Sequence, residues 1–215
     1  MIINEHKGNA LPYVTSVPDD FELDKEYGIF VLMHGFGANM YDLVNLAPLI
    51  NEKNFVYIFP NAPIEINTGV SQKGYAWFPI DSMDYFDASL LLNQTLDEAL
   101  LKYNKTKLII GGFSQGGMMA IHSGIFSLNF YDKAVILSSK LITNKNLKAE
   151  INTPENTRVF ISHGKLDSII PIEAGRNLKE KLNELGFCSF YKEYNMGHEI
   201  NLDVIKDLSN WLSTN

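Results

Sequence analysis

Lys107-Leu108-Ile109-Ile110-Gly111-Gly112-Phe113-Ser114-Gln115-Gly116-Gly117 is the stretch that decides the fold. It opens as an apolar β-run, passes through a glycine-flanked serine, and leads into the helix-like Met118-Met119-Ala120-Ile121. Gly-x-Ser-x-Gly between a strand and a helix is the pattern of a nucleophile elbow. A serine hydroxyl attacks a carbonyl well only when a sharp turn exposes it, a base removes its proton and N–H donors await the oxyanion. Gly112 and Gly116 leave room for that turn and for close packing of helix on strand. The alternative is a glycine-rich βα turn with an incidental serine, so the rest of the chain has to supply partners.

Outward from the elbow, strand-like and helix-like segments alternate from about Tyr27. Gly28 to Met33 and Phe55 to Phe59 are continuous apolar runs of strand length, and Leu43, Leu46, Ala47 and Ile50 between them have helical spacing. A long helix is expected within Met83 to Tyr103. Beyond the elbow, Ala134 to Leu137, Val159 to Ser162 and Phe190 to Tyr194 read as strands. A helix follows Pro171, and another runs through Val204, Ile205, Leu208, Trp211 and Leu212. The polar stretch Thr143 to Thr157 reads as a surface connection. This order implies a mostly parallel sheet with helices on both faces, whose functional groups gather in loops at the carboxyl ends of the strands.

The 215 residues suit one domain, 46% hydrophobic and 20% charged. A formal net charge of −7 argues against nucleic acid as a partner. No run approaches membrane-spanning length and the N-terminus lacks the apolar core of a signal peptide, so no stable membrane insertion and a cytoplasmic location are expected. Cys188, the only cysteine, excludes an intramolecular disulfide and a Cys-based zinc site. Its apolar setting, Phe187 to Tyr191, predicts a buried, inert thiol. No cofactor or metal is expected.

An acyl-transfer serine needs an imidazole base, a carboxylate to orient it and two oxyanion donors. Of the five histidines, His198 lies in a turn after the last strand, where a Ser…Asp…His order places the base. Asp167 lies in a strand-end turn between Ser114 and His198; its alternative is a helix-capping or turn aspartate. Asp132 and Asp203 are weaker candidates, one lying before its strand and the other inside the final helix. His163, four residues before Asp167, is the rival base, though it is more simply a local hydrogen-bonding group. His122 is expected to pack against the sheet and His6 to be exposed. The N–H groups of Gln115 and Phe36 are the expected oxyanion donors, with His34 holding the Phe36 loop or else acting directly.

With these pieces placed, the chain resembles the phospholipase/carboxylesterase group of α/β-hydrolases, which includes acyl-protein thioesterases and small bacterial carboxylesterases. The resemblance rests on His34-Gly35-Phe36-Gly37-Ala38-Asn39, Ala76-Trp77-Phe78, Gly112 to Gly117, His163 to Asp167 with Ile169-Ile170-Pro171, and Met196-Gly197-His198-Glu199. It implies one α/β-hydrolase domain over residues 1–215 without a large cap. It also implies Ser114, Asp167 and His198 as catalytic triad, and Phe36 and Gln115 as oxyanion hole. The acid turn reads Lys-Leu-Asp, and His198 is followed by Glu199 rather than the serine of eukaryotic thioesterases; both departures bear on a protein-depalmitoylating role. Ile64 to Ile80 reads as a long lid or binding loop in which Trp77 and Phe78, with Phe36, line an acyl groove, or in which Trp77 packs the loop onto the body. The expected substrate is a small ester or lipid with an apolar acyl chain. An acylated protein or lysophospholipid is the alternative, a serine peptidase or binding protein a more distant one. A homodimer through the apolar loop stays open.

Overall fold

Every apolar run read as a strand takes part in a single sheet. The computed structural model describes the chain except at residues 68, 70–72, 128–129, 143–156 and 215. Its elements, in order, are β1 (Ile2–His6), β2 (Tyr13–Val17), β3 (Glu26–Met33), α1 (Ala47–Asn51), β4 (Phe55–Pro60), β5 (Ile64–Ile66), β6 (Gly74–Ala76), α2 (Phe86–Leu100), β7 (Asn104–Phe113), α3 (Gln115–Met119), β8 (Lys133–Leu137), β9 (Arg158–Gly164), α4 (Ile172–Glu184), β10 (Cys188–Tyr194) and α5 (Leu202–Ser213). Among the described residues eight strands form the sheet, in the order β1-β2-β4-β3-β7-β8-β9-β10. All neighbours from β4 to β10 are parallel, and β2 alone runs against the rest.

The strands are apolar throughout because both faces are covered. Ile29, Val31 and Met33 pack on one face with Leu92 and Leu96 of α2, Met119 of α3, and Leu178 and Leu182 of α4. Phe30 and Leu32 point the other way, onto Ala47 and Ile50 of α1 and Val204, Leu208 and Trp211 of α5. This is the α/β-hydrolase architecture, and the described residues include no cap domain. No helix among them is long and apolar enough to cross a membrane.

Five features depart from the sequence reading. The hairpin of β1 and β2 was not legible, because β1 is largely exposed and β2 buries the polar Thr15 and Ser16 within its run. Ile64 to Ile80 is not one long loop: β5 and β6 pair antiparallel, and Tyr75 bridges to Ala38 beyond β3. The helix expected over Leu43 to Ile50 is split into a 3₁₀ turn, Val44–Leu46, and α1, whose first turn contains Pro48. Cys188 is exposed rather than buried. It begins β10, the last strand of the sheet, where one edge has no neighbour among the described residues. The surface connection read over Thr143 to Thr157 lies outside the described residues except at Thr157, which is buried and donates its hydroxyl to the Tyr131 carbonyl at 2.7 Å. His6 is partly buried, stacked on Tyr13 with ring centroids 4.6 Å apart.

The edge strand β10 is tied to its flanking helices by side chains. Glu193 accepts two hydrogen bonds from Arg176 of α4, at 2.7 and 3.1 Å. Asp207 of α5 accepts from Lys192 at 2.6 Å and from the Tyr194 hydroxyl at 2.8 Å.

Where β7 turns into α3, the backbones meet with no room for a side chain. A Cβ on Gly116 would lie 2.2 Å from the Met33 carbonyl oxygen and 2.6 Å from that of His34; one on Gly112 would lie 2.3 Å from the Gly116 carbonyl carbon. Gly116→Ala is therefore expected to cost about 3 kcal/mol in urea unfolding, since only backbone can yield. Gly197→Ala, whose new methyl meets nothing nearer than an oxygen at 4.0 Å, is expected to change stability by less than about 0.5 kcal/mol.

Candidate active site

Ser114 sits in the tight turn at φ 54°, ψ −116°, a backbone conformation that L-residues rarely adopt. Two main-chain hydrogen bonds help hold it there: its N–H donates to the Leu137 carbonyl at the end of β8 at 2.9 Å, and its carbonyl accepts the Met118 N–H at 3.1 Å. The helix that follows widens into a π-helical segment, Ala120–Ile125, which carries His122 into the core.

Asp167 and His198 come to Ser114 from separate strand ends. Asp167 lies in the turn after β9, and His198 in the turn after β10. The Asp167 side chain is wholly buried, with Oδ1 accepting the N–H groups of Ile169 at 2.9 Å and Ile170 at 2.8 Å. Its Oδ2 lies 2.7 Å from His198 Nδ1, and His198 Nε2 lies 2.9 Å from Ser114 Oγ. A carboxylate can only accept, so His198 carries its proton on Nδ1 and presents the bare Nε2 lone pair to the serine hydroxyl. The His198 ring also packs on Phe113, with centroids 4.8 Å apart. Close approach of the two turns needs another glycine: a Cβ on Gly164 would lie 2.2 Å from the Gly197 carbonyl oxygen.

The other acidic and histidine candidates lie elsewhere. Asp132 accepts the Leu108 N–H at 2.7 Å at the opposite, amino end of the strands. Asp203 is in the first turn of α5. His163 is fully buried, its Nε2 2.8 Å from the Ile170 carbonyl and 3.6 Å from Asp167 Oδ2. It thus shapes the acid turn and does not reach the serine. His122 Nε2 accepts the Ile142 N–H at 3.1 Å, and its ring packs on Tyr85.

His34 holds the loop after β3. Its Nε2 accepts the Ala62 N–H at 3.1 Å, which places the proton on Nδ1, and Nδ1 donates to the Gly35 carbonyl at 2.8 Å. Gly37 and Ala38 on the far side of Phe36 are tied to Tyr75 and Gly35. Gln115 opens α3, so its own N–H has no partner inside the helix.

The structure corrects the reading of Trp77 and Phe78 as walls of an acyl groove. They are only 1% and 2% exposed. Trp77 donates its indole N–H to the His34 carbonyl at 3.0 Å, while the Gln115 side chain accepts the Trp77 N–H and donates to the Phe78 carbonyl, both at 2.8 Å. The segment is packed onto the body because a large aromatic ring is most stable buried where its N–H finds a partner. Phe36, by contrast, is 47% exposed. Among the described residues no group of three or more His, Cys, Asp or Glu is arranged to hold a metal ion.

Residues 22–215 match the family model of Phospholipase/Carboxylesterase proteins. The chain belongs to this family. It is 28% identical to acyl-protein thioesterase 1 of Emericella nidulans, an alignment that spans 88% of this chain and 91% of that protein. Among solved structures it is similar to esterase PE8, at 25% identity and a TM-score of 0.77 over 94% of this chain and 97% of that one. It shares its fold with the Bacillus cereus carboxylesterase, at 20% identity and a TM-score of 0.75 over 94% and 93% of the two chains. As a phospholipase/carboxylesterase family member the protein is a hydrolase of carboxylic esters.

Burial pushes the imidazoles of His34 and His122 down to about 4. In the unfolded chain a histidine takes its proton near about 6.5. Below that value the unfolded state binds protons that the folded state refuses, so stability is complete above about 6.5 and falls as the pH drops toward about 4. The urea midpoint is expected to decline steadily between pH 6.5 and 4.5, and His122→Gln to show a shallower decline over the same range.

Proposed function

We propose that the protein cleaves esters by two-step acyl transfer, with Ser114 as nucleophile, His198 as general base and Asp167 as the carboxylate that orients it. The observation that carries this reading is the continuous hydrogen-bonded chain from Asp167 through His198 to Ser114, at 2.7 and 2.9 Å. Ser114 Oγ bonds to the ester carbonyl carbon as its proton passes to His198 Nε2. The N–H groups of Phe36 and Gln115 hold the resulting oxyanion. The carbon–oxygen bond to the alcohol then breaks, and His198 returns the proton to the departing oxygen. Water repeats the sequence on the acyl-enzyme and releases the acid.

Apolar side chains around the site favour an apolar acyl group. Phe36 projects from the oxyanion loop, and Leu166 and Ile169, 68% and 69% exposed, flank Asp167 on either side. Exposed apolar side chains in the loops that carry the site residues are where an apolar acyl chain would lie. A thioester is the second reading, supported by the likeness to acyl-protein thioesterase 1. A thiolate leaves without needing a proton from His198, so the same residues serve it. We place the protein in the cytoplasm, where a lone exposed thiol such as Cys188 stays reduced. We also take residues 1–215 as one catalytic domain.

Ser114→Ala and His198→Ala are each expected to lower kcat on p-nitrophenyl butyrate by at least about 10⁴-fold with unchanged circular dichroism. Wild-type turnover in either variant overturns the mechanism. A matched series of esters and thioesters of rising chain length decides between the two substrate readings.

A further inference from the structure

The two N–H groups assigned to the oxyanion each belong to a peptide plane whose carbonyl lies on the opposite side. A peptide unit is planar and trans, so its C=O and N–H point in opposite directions and turn together. Whatever grips the carbonyl therefore aims the N–H. For Gln115 the carbonyl is that of Ser114, and for Phe36 it is that of Gly35.

Both carbonyls are gripped from behind by a buried side chain. The Ser114 carbonyl accepts the Ser139 hydroxyl at 2.7 Å as well as the Met118 N–H at 3.1 Å. The Gly35 carbonyl accepts the protonated Nδ1 of His34 at 2.8 Å and the Ala38 N–H at 3.3 Å. In each case the side-chain bond is the shorter of the two. Ser139 is 1% exposed and His34 2% exposed, so water does not compete for either bond.

Ser139 reaches this position by two local devices. Ser138 before it adopts φ 45°, unusual for a residue with a side chain, and donates its N–H to the Ser162 carbonyl at 2.9 Å. That turns the chain sharply at the end of β8. Gly117 faces the Ser139 side chain so closely that a Cβ there would lie 2.7 Å from the Ser139 Cβ. A backbone strain and a glycine are both spent on bringing one hydroxyl under the Ser114 carbonyl.

We propose that Ser139 is a positioning residue for the oxyanion hole, aiming the Gln115 N–H through the Ser114–Gln115 peptide plane, with His34 doing the same for Phe36 from the other side. The proposal rests on the reading of Phe36 and Gln115 as oxyanion donors. Neither side chain touches the substrate. Their effect is confined to the step in which negative charge builds on the carbonyl oxygen, so the ground-state complex is indifferent to their loss. Burial keeps His34 neutral at working pH, so its grip on Gly35 is constant there.

The test is Ser139→Ala, with kcat expressed per active site titrated by a fluorophosphonate. Loss of a whole oxyanion donor costs roughly 10²–10³-fold; a donor still steered by the Met118 bond is expected to lose about tenfold in kcat, with KM within about twofold. Affinity for a trifluoromethyl ketone, whose adduct carries the same oxyanion, is expected to fall by the same factor as kcat. Ser139→Cys, which keeps a weaker S–H donor, is expected to fall between alanine and wild type, and it supplies the test should the alanine variant not fold. A purely structural serine predicts a lower melting temperature and fewer titratable sites, but wild-type kcat per site and wild-type ketone affinity; that result overturns the proposal. If Ser114→Ala itself keeps its activity, the acyl-transfer reading fails and this inference falls with it. If Ser114→Ala is inactive and Ser139→Ala is undiminished, only the positioning role is lost.

Discussion

The first turn of α3 lies so near the backbones of β3 and β7 that a single methyl group would force them apart. Gly112 and Gly116 make this contact, with prospective Cβ clashes of 2.2 to 2.7 Å against main-chain atoms. Much of the active site depends on it. The contact sets the sharpness of the turn that carries Ser114, brings the His34 carbonyl within reach of the Trp77 indole, and holds the loop bearing Phe36 beside the start of the helix. A bulkier residue would move all of these together, because the interior has no slack in which one can shift alone.

The remaining chemistry is a matter of who may donate and who may accept. Asp167 has both oxygens engaged, one by two main-chain N–H groups and one by His198. That leaves a single tautomer for His198 and a single role for its free nitrogen. The same accounting fixes His34, whose ring accepts from Ala62 and must donate to Gly35. Two histidines of identical chemistry are thus set to different tasks. His198 is partly open and next to a hydroxyl, whereas His34 is sealed among main-chain groups and kept neutral by burial.

The fold and the meeting of Ser114, Asp167 and His198 were legible for specific reasons. The buried parallel strands announce themselves as apolar runs, and the elbow and the turn carrying Asp167 each have glycines where backbones must meet. The hairpin of β1 and β2 was not legible, since an exposed edge strand has no burial pattern to display and Thr15 and Ser16 break the run in β2. Trp77 was ambiguous because an aromatic residue in a loop has the same signature whether it faces a ligand or the core. Its burial and its bonds to the His34 carbonyl and the Gln115 side chain decide. Ser139 left no mark in the sequence at all: a serine after a strand has many uses, and its role depends on a contact with a carbonyl 25 positions earlier. The strained Ser138 beside it is equally invisible without backbone angles.

The imidazole of this site hangs from an outer strand. His198 follows β10, which among the described residues pairs along one side only and is otherwise held by Arg176 to Glu193 and by Lys192 and Tyr194 to Asp207. Strands at a sheet's margin are drawn from the portion of a fold that opens first. Ser114 follows β7, an interior strand of the sheet, where opening takes the most free energy. Heating should therefore part the imidazole from the serine while most of the sheet is intact, so that this protein loses its catalytic life to fraying at one border and not to collapse of its centre.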